Sequence, residues 1–180
     1  DYATPHSVRE AVDLLNDAGD RARIMAGGTD LLVQLRAGAH DLDLIVDGKG
    51  IPELNELTYD PVNGLTIGAA VPCYKIYGNA AVRQAYPGLI DSASLIGGTQ
   101  IQGRASLGGN LCNASPAADT VPALIAAGAT CALAGPSGRR EVPVEEICTG
   151  PGQTILTDGE FVVSILLPAR GSRSGDAYLR

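Results

Sequence analysis

Residues 22–31 read ARIMAGGTDL, and they predict the fold of the first part of the chain. The segment Ala22–Met25 is typical of a short strand, Ala26–Thr29 of a turn, and Asp30–Arg36 of a helix. A second buried strand is predicted over Leu42–Asp47, where three apolar residues are consecutive. The order strand–turn–helix–strand is that of a βαβ unit, so the sequence predicts a small parallel sheet.

A helix is predicted before this unit, over residues 8–18. Ser7 and Glu10 have the spacing of a capping box, and apolar residues follow them at helical intervals. Gly19 is suited to end this helix, because glycine adopts the left-handed conformation found at helix ends.

The pattern changes to that of an antiparallel sheet after about residue 56. Leu57–Tyr59 and Leu65–Ala69 flank the dipeptide Asn63-Gly64, which is a strong signal for a hairpin turn. The fold class predicted is therefore α+β, a small parallel lobe followed by a larger antiparallel sheet with helices. The further elements predicted are helices over Pro72–Ala85, Gly88–Leu95, Asp119–Ala127 and Val144–Cys148, and strands over Ala129–Ala134, Arg140–Val142 and Glu160–Leu167.

The first glycine segment, residues 24–31, follows a predicted strand and opens a predicted helix. Its glycines let a ligand touch the backbone, and the amides at a helix start face an anion such as phosphate. The segment matches neither G-x-G-x-x-G nor the phosphate-binding loop of nucleotide hydrolases. An ordinary strand-to-helix turn is therefore the alternative interpretation.

The second glycine segment, residues 92–118, contains a single charged residue, Arg104. It includes five glycines within residues 97–109 and is expected to be a long loop. Its apolar residues can turn inward while its amides and hydroxyls form hydrogen bonds. The segment thus predicts a backbone-lined slot for a flat or extended polar ligand, with a glycine-rich packing loop as the alternative.

Composition and charge exclude several classes of protein. The 180 residues carry a net charge of −7 without a cluster of Lys and Arg, which argues against a nucleic-acid partner. No apolar run approaches the roughly 20 residues of a membrane span. The four cysteines have no metal-binding spacing, and we expect them to be reduced thiols in a cytoplasmic protein.

Other polar residues have less specific patterns. His6 and His40 lie beside predicted turns and are expected at the surface. Glu145, Glu146, Asp158 and Glu160 could pair for acid–base chemistry, but a solvated face is the simpler interpretation.

The two glycine segments together resemble a known family. Residues 26–31, AGGTDL, and residues 96–119, IGGTQIQGRASLGGNLCNASPAAD, are similar to the FAD-binding domain of molybdenum hydroxylases. This family includes the xanthine dehydrogenase and carbon monoxide dehydrogenase types, in which a separate medium chain often carries the flavin. The resemblance covers nearly the whole chain.

The resemblance implies a two-lobed fold with FAD between the lobes. Residues 1–55 would form the N-terminal FAD-binding lobe and residues 56–168 the second lobe. Residues 169–180 would connect to a further C-terminal domain.

The resemblance also implies which residues bind FAD. The first glycine segment would hold the pyrophosphate, while the second would line the flavin and its ribityl chain. The implied cofactor-binding residues are Ile24, Met25, Ala26, Gly27, Gly28, Thr29, Asp30, Leu31, Ile96, Gly97, Ser106, Leu107, Gly108, Gly109, Asn110, Asp119, Val162 and Arg180.

The implied function is electron transfer in a multi-subunit oxidoreductase. FAD would take electrons from [2Fe-2S] clusters on a small partner subunit and pass them to an acceptor such as NAD or a quinone. A large partner subunit would carry the molybdenum cofactor, and the assembly would be a dimer of heterotrimers. No catalytic residue and no metal ligand is expected in this chain.

Two other functions stay open from the residues alone. The chain could be a stand-alone flavin oxidoreductase of the same fold superfamily. It could also be a non-redox nucleotide-binding or scaffold module, which would be colourless.

Overall fold

The computed structural model describes residues 1–179 and confirms the α+β class. A three-stranded parallel sheet is followed by a five-stranded antiparallel sheet, with a two-stranded hairpin in addition. The strands are β1 (Tyr2–Ala3), β2 (Ala22–Met25), β3 (Leu44–Asp47), β4 (Leu57–Asp60), β5 (Gly64–Gly68), β6 (Thr130–Gly135), β7 (Gly138–Pro143), β8 (Cys148–Gly150), β9 (Gln153–Thr154) and β10 (Phe161–Leu167). The helices are α1 (Val8–Ala18), α2 (Leu31–Arg36), α3 (Cys73–Gly78), α4 (Ala80–Ala85), α5 (Pro87–Ala93), α6 (Thr99–Gln102), α7 (Leu107–Cys112), α8 (Thr120–Ala126) and α9 (Val144–Ile147).

The parallel sheet has the strand order β1-β3-β2 and contains the predicted βαβ unit. Ile24 of β2 lies opposite Val46 of β3. Strand β2 has its predicted bounds, whereas β3 begins two residues later than predicted. Strand β1 was not predicted, because two residues are too few to show a period.

Helix α1 has the predicted bounds and the predicted caps. The Ser7 hydroxyl accepts a hydrogen bond from the Glu10 amide at 3.1 Å. The Glu10 carboxylate accepts from the His6 amide at 2.9 Å, one residue before the amide used in the usual capping box. Gly19 ends the helix with a φ of +62°.

The antiparallel sheet has the order β4-β5-β10-β6-β7, so the last strand of the chain lies at its centre. The predicted hairpin is confirmed as β4 and β5. The Asp60 carboxylate accepts from the amides of Val62 and Asn63, and Gly64 has a φ of +100°. All residues of β10 except Leu166 are buried, and all except Ser164 are apolar.

The single helix predicted over Pro72–Ala85 is wrong, because the chain forms two helices there. Helix α3 ends at Gly78 and α4 begins at Ala80. Asn79 between them is extended, and its side-chain oxygen accepts from the amides of Ala81 and Val82. An asparagine that caps the next helix is a local reason for the break.

The second glycine segment is not the long loop that the sequence predicted. It contains the short helices α6 and α7. Ser106 caps the start of α7, and its hydroxyl accepts from the Gly109 amide at 3.1 Å. Glycine has a low helix propensity, so the pattern hid this helix. The hairpin of β8 and β9 was also missed, because its strands are two and three residues long.

Two aliphatic cores hold the sheets and helices together. The larger core lies between the antiparallel sheet and the helices α3, α5, α7 and α8. In the smaller core, Val8, Val12 and Leu15 of α1 pack with Val46 of the parallel sheet and Phe161 of the antiparallel sheet. Helix α1 therefore joins the two lobes. The lobe boundaries 1–55 and 56–168 stay a prediction.

The end of the described chain packs on α5. The Tyr86 hydroxyl donates to the Pro168 carbonyl at 2.8 Å, and the Arg170 guanidinium lies 5.1 Å from the centroid of the Tyr86 ring. Asp176 pairs with Arg170 and accepts from the Gly88 amide. Within residues 1–179, no helix is both long enough and apolar enough to cross a membrane.

We predict that Gly108→Ala destabilises the protein by about 2 kcal/mol, the size of an overpacking penalty. A methyl group at this position would lie 2.6 Å from both the Cβ atom and the carbonyl oxygen of Ala69. Gly78→Ala is the matched control, because nothing lies within 4 Å of the added atom and alanine favours a helix. Urea unfolding of both variants measures the difference, and equal stabilities would contradict the packing described.

Candidate cofactor-binding site

A cavity of about 630 Å³ lies between the two lobes. This volume is within the usual range of pockets that bind small molecules and cofactors. Its walls come from three parts of the chain: the first glycine segment with the neighbouring residues of α2, the second glycine segment around α7, and residues 152–162. The structure thus brings the two glycine segments together at one cavity.

The first glycine segment follows the carboxyl end of β2, where the chain turns into α2. Gly28 has a φ of +75°, a conformation that favours glycine. Asp30 precedes α2, but its side chain makes no capping hydrogen bond. The Leu32 amide donates to the Gly28 carbonyl at 3.2 Å and the Gln34 amide to the Asp30 carbonyl at 2.9 Å, so these two amides of α2 are already engaged. The amides that can meet a ligand in the cavity are those of the turn that precedes them.

Gly27 is the point at which the two glycine segments touch. A methyl group on Gly27 would lie 2.1 Å from the carbonyl oxygen of Arg104, which is far inside contact distance. The Arg104 side chain adds a hydrogen bond from its Nε to the Gly27 carbonyl at 2.9 Å. Glycine at position 27 is therefore required by the approach of the second segment.

Polar side chains make a second connection across the cavity. Gln34 of α2 donates from its Nε2 to the Asn113 Oδ1 at 2.9 Å, and the His40 ring lies 3.2 Å from the Gln34 Oε1. All three residues line the cavity. His40 is half-buried at the cavity wall.

Helix α7 presents small polar groups to the cavity. Ser106 at its start is 2% exposed. The Oδ1 of Asn110 accepts from the Thr120 hydroxyl at 2.6 Å and from the Thr120 amide at 3.4 Å. These two bonds orient the side-chain amide and leave the Asn110 Nδ2 to donate to a ligand.

The third wall, residues 152–162, was not predicted as part of the site apart from Val162. Glu160 lies on it, with its side chain 8% exposed and paired to Arg140 at 2.7 Å. The hydrogen bond from Arg140 lowers the pKa of Glu160, although burial opposes it. The expected solvated face is therefore wrong for Glu160, because its carboxylate is largely shielded and paired with the exposed Arg140.

Most of the site residues predicted from the sequence lie at the cavity, and three described ones do not. Gly97 is exposed beside it, Leu107 is fully buried in the larger core, and Asp119 lies at the start of α8, where its carboxylate accepts from the Tyr178 hydroxyl at 3.4 Å. Arg180 lies outside the described residues. Those that line the cavity are Ile24, Met25, Ala26, Gly27, Gly28, Thr29, Asp30, Leu31, Ile96, Ser106, Gly108, Gly109, Asn110 and Val162.

The donor set of the cavity fits a dinucleotide such as FAD. Backbone groups of glycines, hydroxyls such as that of Ser106 and the Asn110 amide supply neutral hydrogen bonds, while Ile96 and Val162 supply apolar surface. Among the described lining residues, Arg23 is the one Lys or Arg, and its Nη1 donates to the carbonyls of Asp20 and Ala22. An anionic group in the cavity would therefore be held chiefly by amides.

The cysteine of the cavity wall is a poor nucleophile, and the described residues contain no group that could hold a metal ion. Cys112 lines the wall, but burial raises the pKa of its thiol to about 12. A thiol with so high a pKa is almost entirely protonated at neutral pH and is a poor nucleophile. Within residues 1–179, no group of three or more His, Cys, Asp or Glu side chains could hold a metal ion.

We predict that Gly27→Ala lowers stability by about 2 to 3 kcal/mol, because the added methyl group collides with the backbone of the second segment. Gly103→Ala is the control, since its nearest neighbour would lie at 3.5 Å and its backbone is helical. This control should change stability by less than about 0.5 kcal/mol. The thermal unfolding temperatures of both variants test the contact. A Gly27→Ala protein that is as stable as Gly103→Ala would refute it.

Comparisons with known proteins place this geometry in a family. Residues 1–170 match the family described as the FAD binding domain in molybdopterin dehydrogenase. The chain is 33% identical to the carbon monoxide dehydrogenase medium chain of Hydrogenophaga pseudoflava, over 99% of this chain and 62% of that protein. It is 32% identical to the xanthine dehydrogenase FAD-binding subunit of Escherichia coli O157:H7, over 93% of this chain and 58% of that protein.

Solved structures show the same fold. The carbon monoxide dehydrogenase structure from Hydrogenophaga pseudoflava superposes with a TM-score of 0.91 and 32% identity, covering 96% of this chain and 60% of that one. The UDP-N-acetylenolpyruvylglucosamine reductase of Thermus caldophilus shares only the fold, with a TM-score of 0.53, 19% identity, and coverage of 91% of this chain and 53% of that one. The chain spans about 60% of the length of the curated relatives it matches. By the match over residues 1–170, it belongs to the family of FAD-binding domains of molybdopterin dehydrogenases.

Proposed function

We propose that this chain is the FAD-carrying electron-transfer part of a multi-subunit molybdenum hydroxylase. It would act between the [2Fe-2S] clusters of a small partner subunit and an acceptor such as NAD or a quinone. A large partner subunit would hold the molybdenum cofactor, in a dimer of heterotrimers. The names of two relatives, a medium chain and an FAD-binding subunit, support a place within such an assembly.

The observation that carries the proposal is the cavity between the lobes. Both glycine segments that carry the resemblance to the family line this one cavity, although 77 residues separate Gly27 from Arg104. Its lining combines neutral donors with apolar surface. FAD requires both, because its pyrophosphate and ribityl groups are polar while its isoalloxazine ring is largely apolar.

In this proposal each segment binds a different part of the cofactor. The backbone amides of Gly27–Asp30 hold the pyrophosphate, where the glycines allow close approach. Ser106 and Asn110 donate to the ribityl chain and the flavin, and Ile96 packs against the ring. Leu107 contributes only its backbone, because its side chain is fully buried. Asp119 and Arg180 stay proposed contacts of the cofactor.

The chemistry belongs to the cofactor, and the protein orients it. FAD supplies the ability to accept electrons singly and to release them in pairs. The residues of this chain fix the position of the flavin and shape its surroundings, and none of them is proposed to transfer a proton to a substrate. Substrate oxidation would take place on the large partner subunit.

A cytoplasmic location and a C-terminal connection are further parts of the proposal. All four cysteines, Cys73, Cys112, Cys131 and Cys148, are free thiols. Free thiols are typical of a reducing compartment, which supports the cytoplasm. Residues 169–180 are proposed to connect the second lobe, residues 56–168, to a further domain.

We predict that the purified protein is yellow and contains about one FAD per chain. Its visible absorption spectrum and the mass of the cofactor released on denaturation measure this. Gly27→Ala should contain much less FAD, because the two glycine segments cannot approach each other, while Gly103→Ala should contain as much as the wild type. Reduction by dithionite should bleach the bound flavin.

Two outcomes would contradict the proposal. A folded, colourless protein that ignores added FAD but binds ADP would support the non-redox nucleotide-binding module. Oxidation of a purine, an aldehyde or carbon monoxide by this protein without molybdenum would support a stand-alone flavin oxidoreductase. Either result would be clear from the same purified sample.

A further inference from the structure

Arg104 is the one charged residue between residues 92 and 118, and its side chain points back to the other lobe. Its Nε donates to the carbonyl oxygen of Gly27 at 2.9 Å. This hydrogen bond connects residues 77 positions apart, and it orders the long side chain of an exposed arginine at an entropic cost. The bond restrains the carbonyl of Gly27 within the first glycine segment.

The main chain of Arg104 packs against the same glycine. A methyl group on Gly27 would lie 2.1 Å from the Arg104 carbonyl oxygen and 3.1 Å from the Ala105 nitrogen, so there is no room for a side chain. The hydrogen bond from the Arg104 side chain sets the direction of the Gly27 carbonyl, and with it the plane of the peptide that joins Gly27 to Gly28.

The orientation of that peptide decides where the Gly28 amide points. In a trans peptide the C=O and the N–H lie in one plane and point in opposite directions. No peptide bond among residues 1–179 is cis. While Arg104 holds the Gly27 carbonyl, the Gly28 N–H must point away from Arg104. Gly28 lines the cavity, whereas Arg104 does not.

The charge of Arg104 strengthens this arrangement. A hydrogen bond from a charged donor is stronger than a neutral one and polarises the peptide group that accepts it. A polarised peptide has a more positive N–H, which is a better donor to an anion.

We propose that Arg104 is a positioning residue for the pyrophosphate of FAD: by holding the Gly27 carbonyl, it presents the Gly28 amide to the phosphate oxygens. Arg104 does not touch the cofactor in this role. The inference rests on the proposed function, since it takes the first glycine segment as the pyrophosphate site. Because Arg104 belongs to the second glycine segment, that segment would then help to bind the phosphate as well as the flavin.

The test compares FAD with two ligands that each contain one part of it. ADP contains the phosphate part, and riboflavin contains the flavin ring with the ribityl chain. The wild-type protein, Arg104→Gln and Arg83→Gln are purified as the complete polypeptide, stripped of flavin and titrated with FAD, ADP and riboflavin. Arg83 is the matched control, because this exposed arginine also donates to a backbone carbonyl, that of Tyr77, and is not part of the cavity wall. Unfolding of the stripped proteins is followed in parallel.

We expect Arg104→Gln to weaken FAD and ADP alike by about tenfold or more, the effect of losing one hydrogen bond from a charged group. Riboflavin, which has no phosphate, should bind as tightly as to the wild type. Arg83→Gln should bind all three ligands normally. Arg104→Lys keeps a cationic donor and should recover part of the ADP affinity.

Other results would overturn the inference. Unchanged ADP binding by Arg104→Gln would show that the amide is presented without Arg104. An equal loss of all three ligands, together with a lower unfolding temperature, would show a general structural role. If Arg104→Gln does not fold, Arg104→Lys takes its place. A loss of ADP affinity without a loss of riboflavin affinity in Arg104→Lys would support the inference, and equal changes for both ligands would overturn it. Failure of the wild type to bind FAD would instead refute the proposed function.

Discussion

The close approach of Gly27 to the backbone of Arg104 is the contact on which the cavity depends. A Cβ atom at position 27 would lie 2.1 Å from the Arg104 carbonyl oxygen, so only glycine permits it. The contact joins a turn after the parallel sheet to a segment that precedes α7 in the other lobe. The distance between these segments sets the width of the cavity, because both form its walls.

The rest of the fold keeps these two segments at a constant distance. Helix α1 packs on both sheets through the smaller core, and Gln34 and Asn113 make a polar connection across the cavity. Ser106 is anchored by its bridge to Pro72 and by its hydrogen bond to the Gly109 amide. Walls that are held by the protein's own contacts lose little conformational freedom when a ligand binds, which favours tight retention of a cofactor.

Local signals in the sequence predicted much of this fold, whereas contacts between distant residues could not be predicted. The caps of α1, the Asn63-Gly64 turn and the strand β2 follow from neighbouring residues, and they are confirmed. The break at Asn79 was missed because a capping asparagine also fits inside a helical pattern. The wall at residues 152–162 and the Gln34–Asn113 bond depend on chain segments that meet only in three dimensions. The resemblance to a family supplied the expected site residues, and 14 of them line the cavity.

Hydrogen–deuterium exchange with and without added FAD tests most directly whether the cofactor lies between the two glycine segments. FAD is expected to slow exchange at the amides of residues 27–31 and of residues 106–110 together, while the amides of α4, no residue of which lines the cavity, are unchanged. Protection of one segment alone, or of neither, would contradict a cofactor held between the lobes.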